Sequence, residues 1–198
     1  RGLLREQAEV STVSHTTASL ATALLAPASV AIYGASDDPA RPAGRPLRFL
    51  RAAGFAGRVY PVNPARQQVQ GEAAWPSLAA LPEVPEHVFI VASGTRVELA
   101  VRDCAALGVR LATVLADGFS EQGPDGLARE EALRRIARNG GLRLLGPSSI
   151  GVVNPRNGLL LTANAAFAEP NLPAGRVFCA SHSGSMIGAL LSRGIGRG

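Results

Sequence analysis

Five short clusters of glycine, serine, asparagine and proline each follow a short apolar run, and their composition favours phosphate binding. Glycine in such a turn lets the backbone approach a ligand closely, and N–H groups at the start of a following helix attract negative charge. Arg66 lies close to the second cluster and adds a guanidinium, which can bind two phosphate oxygens at once. The clusters are Gly34-Ala35-Ser36, Asn63-Pro64, Ala92-Ser93-Gly94, Asp117-Gly118-Phe119-Ser120 and Gly146-Pro147-Ser148-Ser149.

The apolar runs before these clusters predict the five strands of a parallel sheet. Amphipathic helical patterns separate the runs, as in a sheet that is covered on both faces. Ligands of such a sheet bind beyond the carboxyl ends of its strands, where the five clusters fall. We therefore predict a doubly wound, Rossmann-like α/β domain with helices on both faces. The predicted strands are Ser29–Tyr33, Arg58–Val62, His87–Val91, Arg110–Ala116 and Leu142–Leu145.

Three apolar stripes at helical spacing predict the main helices between the strands, and Ser77 is predicted to open a short one. Thr95 and Glu98 match a capping box, in which each side chain satisfies a backbone N–H group at the start of a helix. The stripes are Leu47, Leu50 and Ala53 before Gly54, then Val97, Ala100, Val101, Cys104 and Leu107 before Gly108, and then Ala128, Ala132, Leu133 and Ile136 within 124–139.

Two prolines within four residues, Pro170 and Pro173, predict a domain boundary. Beyond it, Arg176–Ala180 is predicted to be a strand and residues 181–184 to open a helix. One strand and one helix cannot bury their apolar faces alone, so we expect the second unit to be cut short. The predicted units are a poorly ordered or helical extension over 1–24, the main domain over 25–170 and the beginning of a second α/β domain over 171–198.

The composition of the 198-residue chain excludes several classes of protein. With 46% hydrophobic and 18% charged residues, the chain is neither collagen-like nor disordered, and two cysteines cannot build a disulfide scaffold. No apolar run reaches the roughly 18 residues that span a bilayer. All 20 basic residues are arginine, and the net charge of +5 favours phosphate ligands. We expect no membrane partner, no metal site and, without an aromatic platform, no nucleic acid.

The first cluster departs from the fingerprint of a dinucleotide-binding domain. That fingerprint needs G-x-G-x-x-G and an acidic residue near the end of the second strand. Here residues 34–38 lack the second glycine, and the second strand ends at Val62 and Asn63, with Arg66 nearby. An arginine suits a phosphorylated ribose better than a free ribose diol. An NADP-binding oxidoreductase domain stays open as a weaker alternative.

Several isolated reactive residues are predicted to have structural roles. Asp37 and Asp38 are expected to cap a helix. Cys104 and Cys179 are expected to be small buried hydrophobic residues. His87 opens a strand and is expected to be solvated or to be a capped edge residue.

Five blocks of residues occur in an order and spacing that are typical of one family. The blocks are LAPASVAIYGAS (25–36), GRVYPVNP (57–64), DGFSE (117–121), GPSSIG (146–151) and SHSG (181–184). Together they resemble the CoA-binding domain of NDP-forming acyl-CoA synthetases, a family similar to the α subunit of succinyl-CoA synthetase. The resemblance extends over about residues 24–193, makes 25–170 the CoA-binding domain and makes the second domain flavodoxin-like.

The resemblance implies coenzyme A, or acyl-CoA, as the cofactor, and its phosphorylated ribose agrees with the argument from Arg66. Gly34, Ala35 and Ser36 would hold a phosphate, and Asn63 and Pro64 would lie beside the adenosine. The pantetheine arm would lie along Ala92, Ser93, Gly94 and Thr95. Phe119, Ser120, Glu121, Gly146 and Pro147 would lie near the thiol. Ser181, Ser183, Gly184 and Ser185 would bind a phosphoryl group at a helix start. Replacing Gly34 with Val is expected to abolish binding and to leave the fold intact.

The chain departs from the family pattern at a few positions. After Asn-Pro the family usually has Lys, where this chain has Ala65 followed by Arg66. The family often has Asn at the position of Ser148, and Ala or Gly at that of Asp117. The phosphorylated histidine of the family lies beyond residue 198. None of His15, His87 and His182 occupies its position, so we expect no catalytic residue within this chain.

The function implied by the resemblance is that of a cytoplasmic acid–thiol ligase that works through acyl phosphate and phosphohistidine. Its partners would be CoA, a small carboxylic acid and a grasp-type nucleotide-binding domain or subunit, and homo-oligomer formation is left open. NDP or NTP and Mg²⁺ would bind only to parts outside this chain. The alternative is a non-catalytic domain that senses CoA or acyl-CoA in a protein acetyltransferase fusion.

Overall fold

The computed structural model describes residues 19–168 and 172–195. Its strands are β1 (Ser29–Tyr33), β2 (Arg58–Val62), β3 (Gln68–Val69), β4 (Glu72–Ala73), β5 (His87–Val91), β6 (Leu111–Leu115), β7 (Arg143–Leu145), β8 (Gly151–Asn154) and β9 (Leu159–Thr162). Its α-helices are α1 (Leu20–Leu25), α2 (Arg45–Ala52), α3 (Thr95–Ala106), α4 (Pro124–Asn139) and α5 (Gly184–Gly194). Among these elements, no helix has the length and apolar character that a membrane crossing requires.

The predicted parallel sheet is confirmed, with the spatial order β2-β1-β5-β6-β7. Its central strands are short apolar runs buried on both faces, as parallel sheets require. Two antiparallel hairpins, β3–β4 and β8–β9, accompany the sheet. The run Leu159–Leu161 forms part of the second hairpin, which the sequence analysis did not predict.

Both faces of the sheet are covered. Helices α3 and α4 pack on one face, where they join Ala31, Val88 and Ile90 of the strands in one apolar cluster. Helix α2 and the hairpin β8–β9 cover the other face, where Leu50 and Leu161 lie in the second cluster. The face opposite α3 and α4 is therefore covered by one helix and a hairpin rather than by helices alone.

Two predictions about helix ends and faces are wrong. The capping box is absent, because Gly94 is the N-cap of α3 and Thr95 is already helical, while the Glu98 carboxylate accepts from Arg102 Nη2 at 2.6 Å. The buried face of α4 includes Gly126 and Glu130 instead of Ala128, which is exposed. A Cβ atom at Gly126 would lie 1.7 Å from the Phe119 carbonyl oxygen, so this close approach sets which face of the helix is buried.

His87 and Cys179 also differ from expectation. His87 is fully buried, because β5 is the central strand of the sheet and not an edge, and its Nε2 lies 2.7 Å from Thr113 Oγ1. Burial lowers the pKa of His87 to about 4, against an opposing effect of the Ala23 backbone. Cys179 is exposed, whereas Cys104 is buried as predicted.

Residues 172–195 contain a helix but no strand. The predicted strand Arg176–Ala180 is wrong, since Val177 and Phe178 are 91% and 73% exposed and no strand lies beside them in the described residues. The predicted helix is α5, and its Ile187 and Leu191 pack against a cluster formed by residues of α2, β9 and the turn 165–168. The extension predicted over 1–24 lies largely outside the described residues, as does the boundary at 170–171.

Candidate functional site

A cavity of about 720 Å³ opens at the carboxyl ends of β1 and β5. The chain leaves β1 toward β2 on one side, and β5 continues toward β6 on the other, so the order of strands reverses at this point. Open α/β sheets bind their ligands in such a crevice. Eight of the predicted site residues line the cavity: Gly34, Ala35, Ser36, Asn63, Pro64, Arg66, Ala92 and Ser93.

Gly34 is required by the backbone of the sheet, and its role in holding a phosphate stays a prediction. Its φ is +83°, and a Cβ atom there would lie 2.2 Å from the Val91 carbonyl oxygen. Its N–H group and that of Ala35 both donate to the Val62 carbonyl oxygen, at 2.9 and 3.2 Å. The expectation that Gly34→Val would leave the fold intact is therefore wrong, because the added carbon would collide with β5.

The first loop is not followed directly by a helix, contrary to the reasoning from its glycine. Helix α2 begins only at Arg45, after a series of turns. The Ser36 N–H group donates to the Ala43 carbonyl oxygen at 3.1 Å within these turns. A phosphate held by this loop would therefore not lie directly at the N–H groups that begin α2.

Two amide side chains hold the loops that form the cavity. Asn63 Nδ2 donates to the Ala35 carbonyl oxygen at 2.9 Å and so links the ends of β1 and β2. Gln70 Nε2 donates to the carbonyl oxygens of Ser36 and Gly44, both at 2.9 Å. The sequence analysis missed Gln70, since only its place in the turn between β3 and β4 brings it to this loop.

Three arginines supply the positive charge of the cavity. Arg66 Nη1 lies 3.3 Å from Asp37 Oδ2, and Arg41 Nε lies 3.4 Å from Asp38 Oδ2. These four side chains are between 47% and 75% exposed, so each ion pair is weak and open to exchange with an incoming anion.

The third arginine, Arg96, extends into the cavity from α3 and donates to Ser93 Oγ at 3.3 Å. Neither Arg41 nor Arg96 was identified from the sequence. The prediction that Asp37 and Asp38 cap a helix is wrong. The Gln70 N–H group donates to Asp37 Oδ1 at 2.7 Å, and the Ala40 N–H group donates to Asp38 Oδ1 at 2.9 Å.

Phe119, Ser120 and Glu121 follow β6 and lie outside the cavity. Phe119 is 4% exposed and belongs to the apolar core. Glu121 Oε1 accepts from the N–H groups of Gly118 and Phe119, at 2.5 and 3.0 Å. Hydrogen bonds from backbone N–H groups lower the pKa of the Glu121 carboxyl. The largest effect comes from the N–H group of Glu121 itself, followed by those of Phe119 and Gly118. The carboxylate closes its own loop, and a role at the thiol end stays a prediction.

Gly146 and Pro147 follow β7, next to β6, and also lie outside the cavity. The peptide bond between them is cis, and a Cβ atom at Gly146 would lie 2.6 Å from the Val114 carbonyl oxygen. Ser148 Oγ donates to the Ala116 carbonyl oxygen at 2.9 Å. The ends of β6 and β7 therefore form a second, self-contained group of loops.

The predicted phosphoryl-binding residues lie at the start of α5, away from the cavity lining. Ser183 is the N-cap, and its Oγ accepts from the Met186 N–H group at 3.2 Å. Ser181 Oγ accepts from the Ser183 N–H group at 3.0 Å, and the carbonyl oxygen of Gly184 accepts from Asn164 Nδ2 at 3.1 Å. The role of these residues, with that of Ser185, stays a prediction.

Comparison with known families identifies the family of this chain. A family model described as a CoA binding domain matches residues 28–155. The chain belongs to this CoA-binding domain family. Coenzyme A is thereby confirmed as the cofactor predicted from the sequence, and the NADP alternative is not favoured.

Relatives of the CoA-binding domain are ADP-forming ligases. The acetate–CoA ligase (ADP-forming) II of Archaeoglobus fulgidus is 30% identical over 169 residues, which cover 85% of this chain and 24% of that protein. The α subunit of acetate–CoA ligase (ADP-forming) II of Pyrococcus furiosus is 30% identical over 169 residues, with coverage of 85% and 36%.

A solved structure has the same fold as this CoA-binding domain. The acetyl-coenzyme A synthetase 1 of Candidatus Korarchaeum cryptofilum, in complex with phosphate and ADP, has a TM-score of 0.79 and 31% sequence identity. The match covers 88% of this chain and 36% of that chain. The chain therefore spans 24 to 36% of the length of these three relatives. The family assignment made from the five sequence blocks is confirmed, and the acetyltransferase-fusion alternative is not favoured.

Proposed function

We propose that this chain is the CoA-binding part of an ADP-forming acyl-CoA ligase. The observation that carries the proposal is the position of the cavity at the point where strand order reverses, with three guanidinium groups around it. Coenzyme A presents a diphosphate and a ribose 3′-phosphate, so its nucleotide end needs several cations. The cavity volume of about 720 Å³ lies within the usual range for small-molecule sites.

The nucleotide end of CoA is proposed to bind at the loops after β1 and β2. Arg66 would bind the ribose 3′-phosphate, in exchange for its exposed contact with Asp37. Asn63 and Pro64 would lie beside the adenosine, and Ser36 would lie beside a phosphate. Because Asn63 is held by the Ala35 carbonyl, the two loops would keep their relative positions when the ligand enters.

The remaining predicted residues would follow the pantetheine arm toward its thiol. Ala92 and Ser93 line the cavity at the end of β5, where the arm would leave the nucleotide site. The loops after β6 and β7, with Phe119 to Glu121 and Gly146 and Pro147, would lie near the thiol. The start of α5 would bind the phosphoryl group.

The activity of the whole protein is proposed to be acid–thiol ligation through acyl phosphate and a phosphohistidine that lies outside this chain. Coenzyme A supplies the thiol that carries the acyl group of a small carboxylic acid. A grasp-type domain or subunit would bind ADP or ATP with Mg²⁺, and homo-oligomer formation stays open. We also propose a cytoplasmic location, since both cysteines are free thiols, as is usual in reducing compartments.

Calorimetric titration of the 198-residue chain with CoA, dephospho-CoA and NADP tests this proposal. CoA is expected to bind most tightly, and Arg66→Gln is expected to weaken CoA about 10-fold with little effect on dephospho-CoA, because one charge-assisted contact is lost. Arg135→Gln, which removes the same charge from the exposed side of α4, is the matched control. Binding of CoA no tighter than that of NADP would contradict the proposal.

A further inference from the structure

Arg96 differs from the other two arginines of the cavity in its charge environment. Arg41 and Arg66 each lie beside a carboxylate, that of Asp38 and that of Asp37. Arg96 forms no ion pair among residues 19–168 and 172–195, and its guanidinium donates to the neutral hydroxyl of Ser93 at 3.3 Å. An incoming anion can therefore bind Arg96 without displacing a carboxylate.

The acidic groups of α3 leave the charge of Arg96 available. The Glu98 carboxylate is bound by Arg102, whose Nη2 lies 2.6 Å away. Asp103 lies farther along the helix, and partial burial raises the pKa of its carboxyl. Glu98 and Arg102 both lie outside the cavity lining. Arg96 is therefore the cation that α3 contributes to the site.

The strand order separates Arg96 from Arg66. Arg66 follows β2, and Ser93 and Arg96 follow β5, while β1 and its loop lie between them. Adjacent strands are about 4.8 Å apart, so the ends of β2 and β5 are separated by about 10 Å of sheet. Arg66 and Arg96 thus lie on opposite sides of the β1 loop. CoA carries two separate anionic groups on one ribose, the 3′-phosphate and the 5′-diphosphate.

We propose that Arg96, oriented by Ser93, binds the diphosphate of CoA, while Arg66 binds the ribose 3′-phosphate. This inference rests on the proposed function. The pantetheine arm is attached to the diphosphate, so the diphosphate belongs beside the segment proposed for that arm, which includes Ser93. The planar guanidinium of Arg96 can donate two parallel hydrogen bonds to oxygens of the diphosphate.

Titration of two ligands into two variants separates the roles of these arginines. CoA and dephospho-CoA share the diphosphate, and only CoA has the ribose 3′-phosphate. Arg96→Gln is expected to weaken both ligands by the same factor, about 10-fold, and Arg66→Gln is expected to weaken CoA alone. Arg96→Lys, which keeps the charge but not the planar fork, is expected to recover part of the loss for both ligands.

Arg135→Gln is the matched control, since it removes the same side chain from an exposed position of α4 outside the cavity and leaves the Glu98–Arg102 pair intact. Its affinity for both ligands is expected to stay at the value of the unmodified chain, and thermal unfolding verifies that all variants are folded. Unchanged binding in Arg96→Gln, or a loss confined to CoA, would overturn the assignment to the diphosphate. Absence of CoA binding in the unmodified chain would instead overturn the proposed function.

Discussion

The two ends of the central sheet differ in how deeply their polar side chains are buried. At the amino end, Ser29 and His87 are almost completely buried, and Nε2 of His87 lies 2.7 Å from the hydroxyl of Thr113. Arg58 also lies at this end, but its bidentate contact with Glu83 is at the surface, with the two side chains 57% and 33% exposed, and is not part of this buried group.

At the carboxyl end, the charged side chains are exposed and loosely held. The ion pairs of Arg41 and Arg66 are 3.3 to 3.4 Å long, and Arg96 has a hydroxyl as its partner. Polar groups that satisfy one another in the interior contribute to folding, whereas exposed pairs contribute little and can exchange partners. The sheet thus separates groups that stabilise the fold from groups that are available to a ligand.

The largest effect is expected where the backbone of the carboxyl end is least able to change. Gly34→Ala would place a Cβ atom 2.2 Å from the Val91 carbonyl oxygen at a φ of +83°, so the free energy of unfolding should fall by more than about 3 kcal/mol. Urea denaturation measures this loss. The carboxyl end would then be a rigid frame that carries exposed side chains.

Gly54→Ala is the control for this substitution. Gly54 also has a positive φ, of +68°, but a Cβ atom there has no neighbour within 4 Å. Its cost should be about 1 kcal/mol, from backbone strain alone. Equal losses for the two variants would show that the approach of β1 to β5 does not constrain Gly34.

At the amino end, the expected effect is a dependence of stability on pH. His87 has a pKa of about 4 in the folded chain, below the ordinary value of 6.5, because burial disfavours its charged form. Its contribution is fully present above pH 6.5 and is lost as the pH falls toward 4. The free energy of unfolding should decrease by about 3 kcal/mol across this window.

His87→Gln separates this effect from the titration of carboxyl groups. Glutamine can still offer an amide to Thr113 and does not titrate. The difference in unfolding free energy between the unmodified chain and the variant should therefore change with pH between 6.5 and 4. A constant difference would contradict the assignment, and CoA affinity at neutral pH should be the same in both proteins.

The sequence predicted the parts of the fold that depend on local patterns. The strands His87–Val91 and Ser29–Tyr33 and the helix over 124–139 occur as predicted, because short apolar runs and helical stripes are local signals. The burial of His87 was missed, since it depends on β5 being the centre of the sheet, and strand order is not local. The strand at 176–180 was predicted from its apolar residues, but a strand also needs a neighbour.

The candidate site was predictable only in part for the same reason. The turn residues after each strand could be found, because the carboxyl ends of parallel strands share one edge. Arg41 and Arg96 could not, since they reach the cavity from a loop and a helix whose positions depend on tertiary packing, and neither could Gln70, which holds the first loop from the small hairpin. The structural role of Gly34 was missed, because sequence alone does not show the Val91 carbonyl behind it.

The central claim is that the phosphates of CoA bind at the carboxyl end of the sheet, between β1 and β5. Chemical-shift mapping of the isotope-labelled chain with adenosine 3′,5′-bisphosphate tests this claim most directly. This probe keeps the ribose 3′-phosphate and the first phosphate of the CoA diphosphate, and it lacks the second phosphate and the thiol arm. The account predicts the largest amide shifts at Ser36, Arg66 and Arg96, with His87 unchanged. Largest shifts at the start of α5 or at the amino end of the sheet would contradict it.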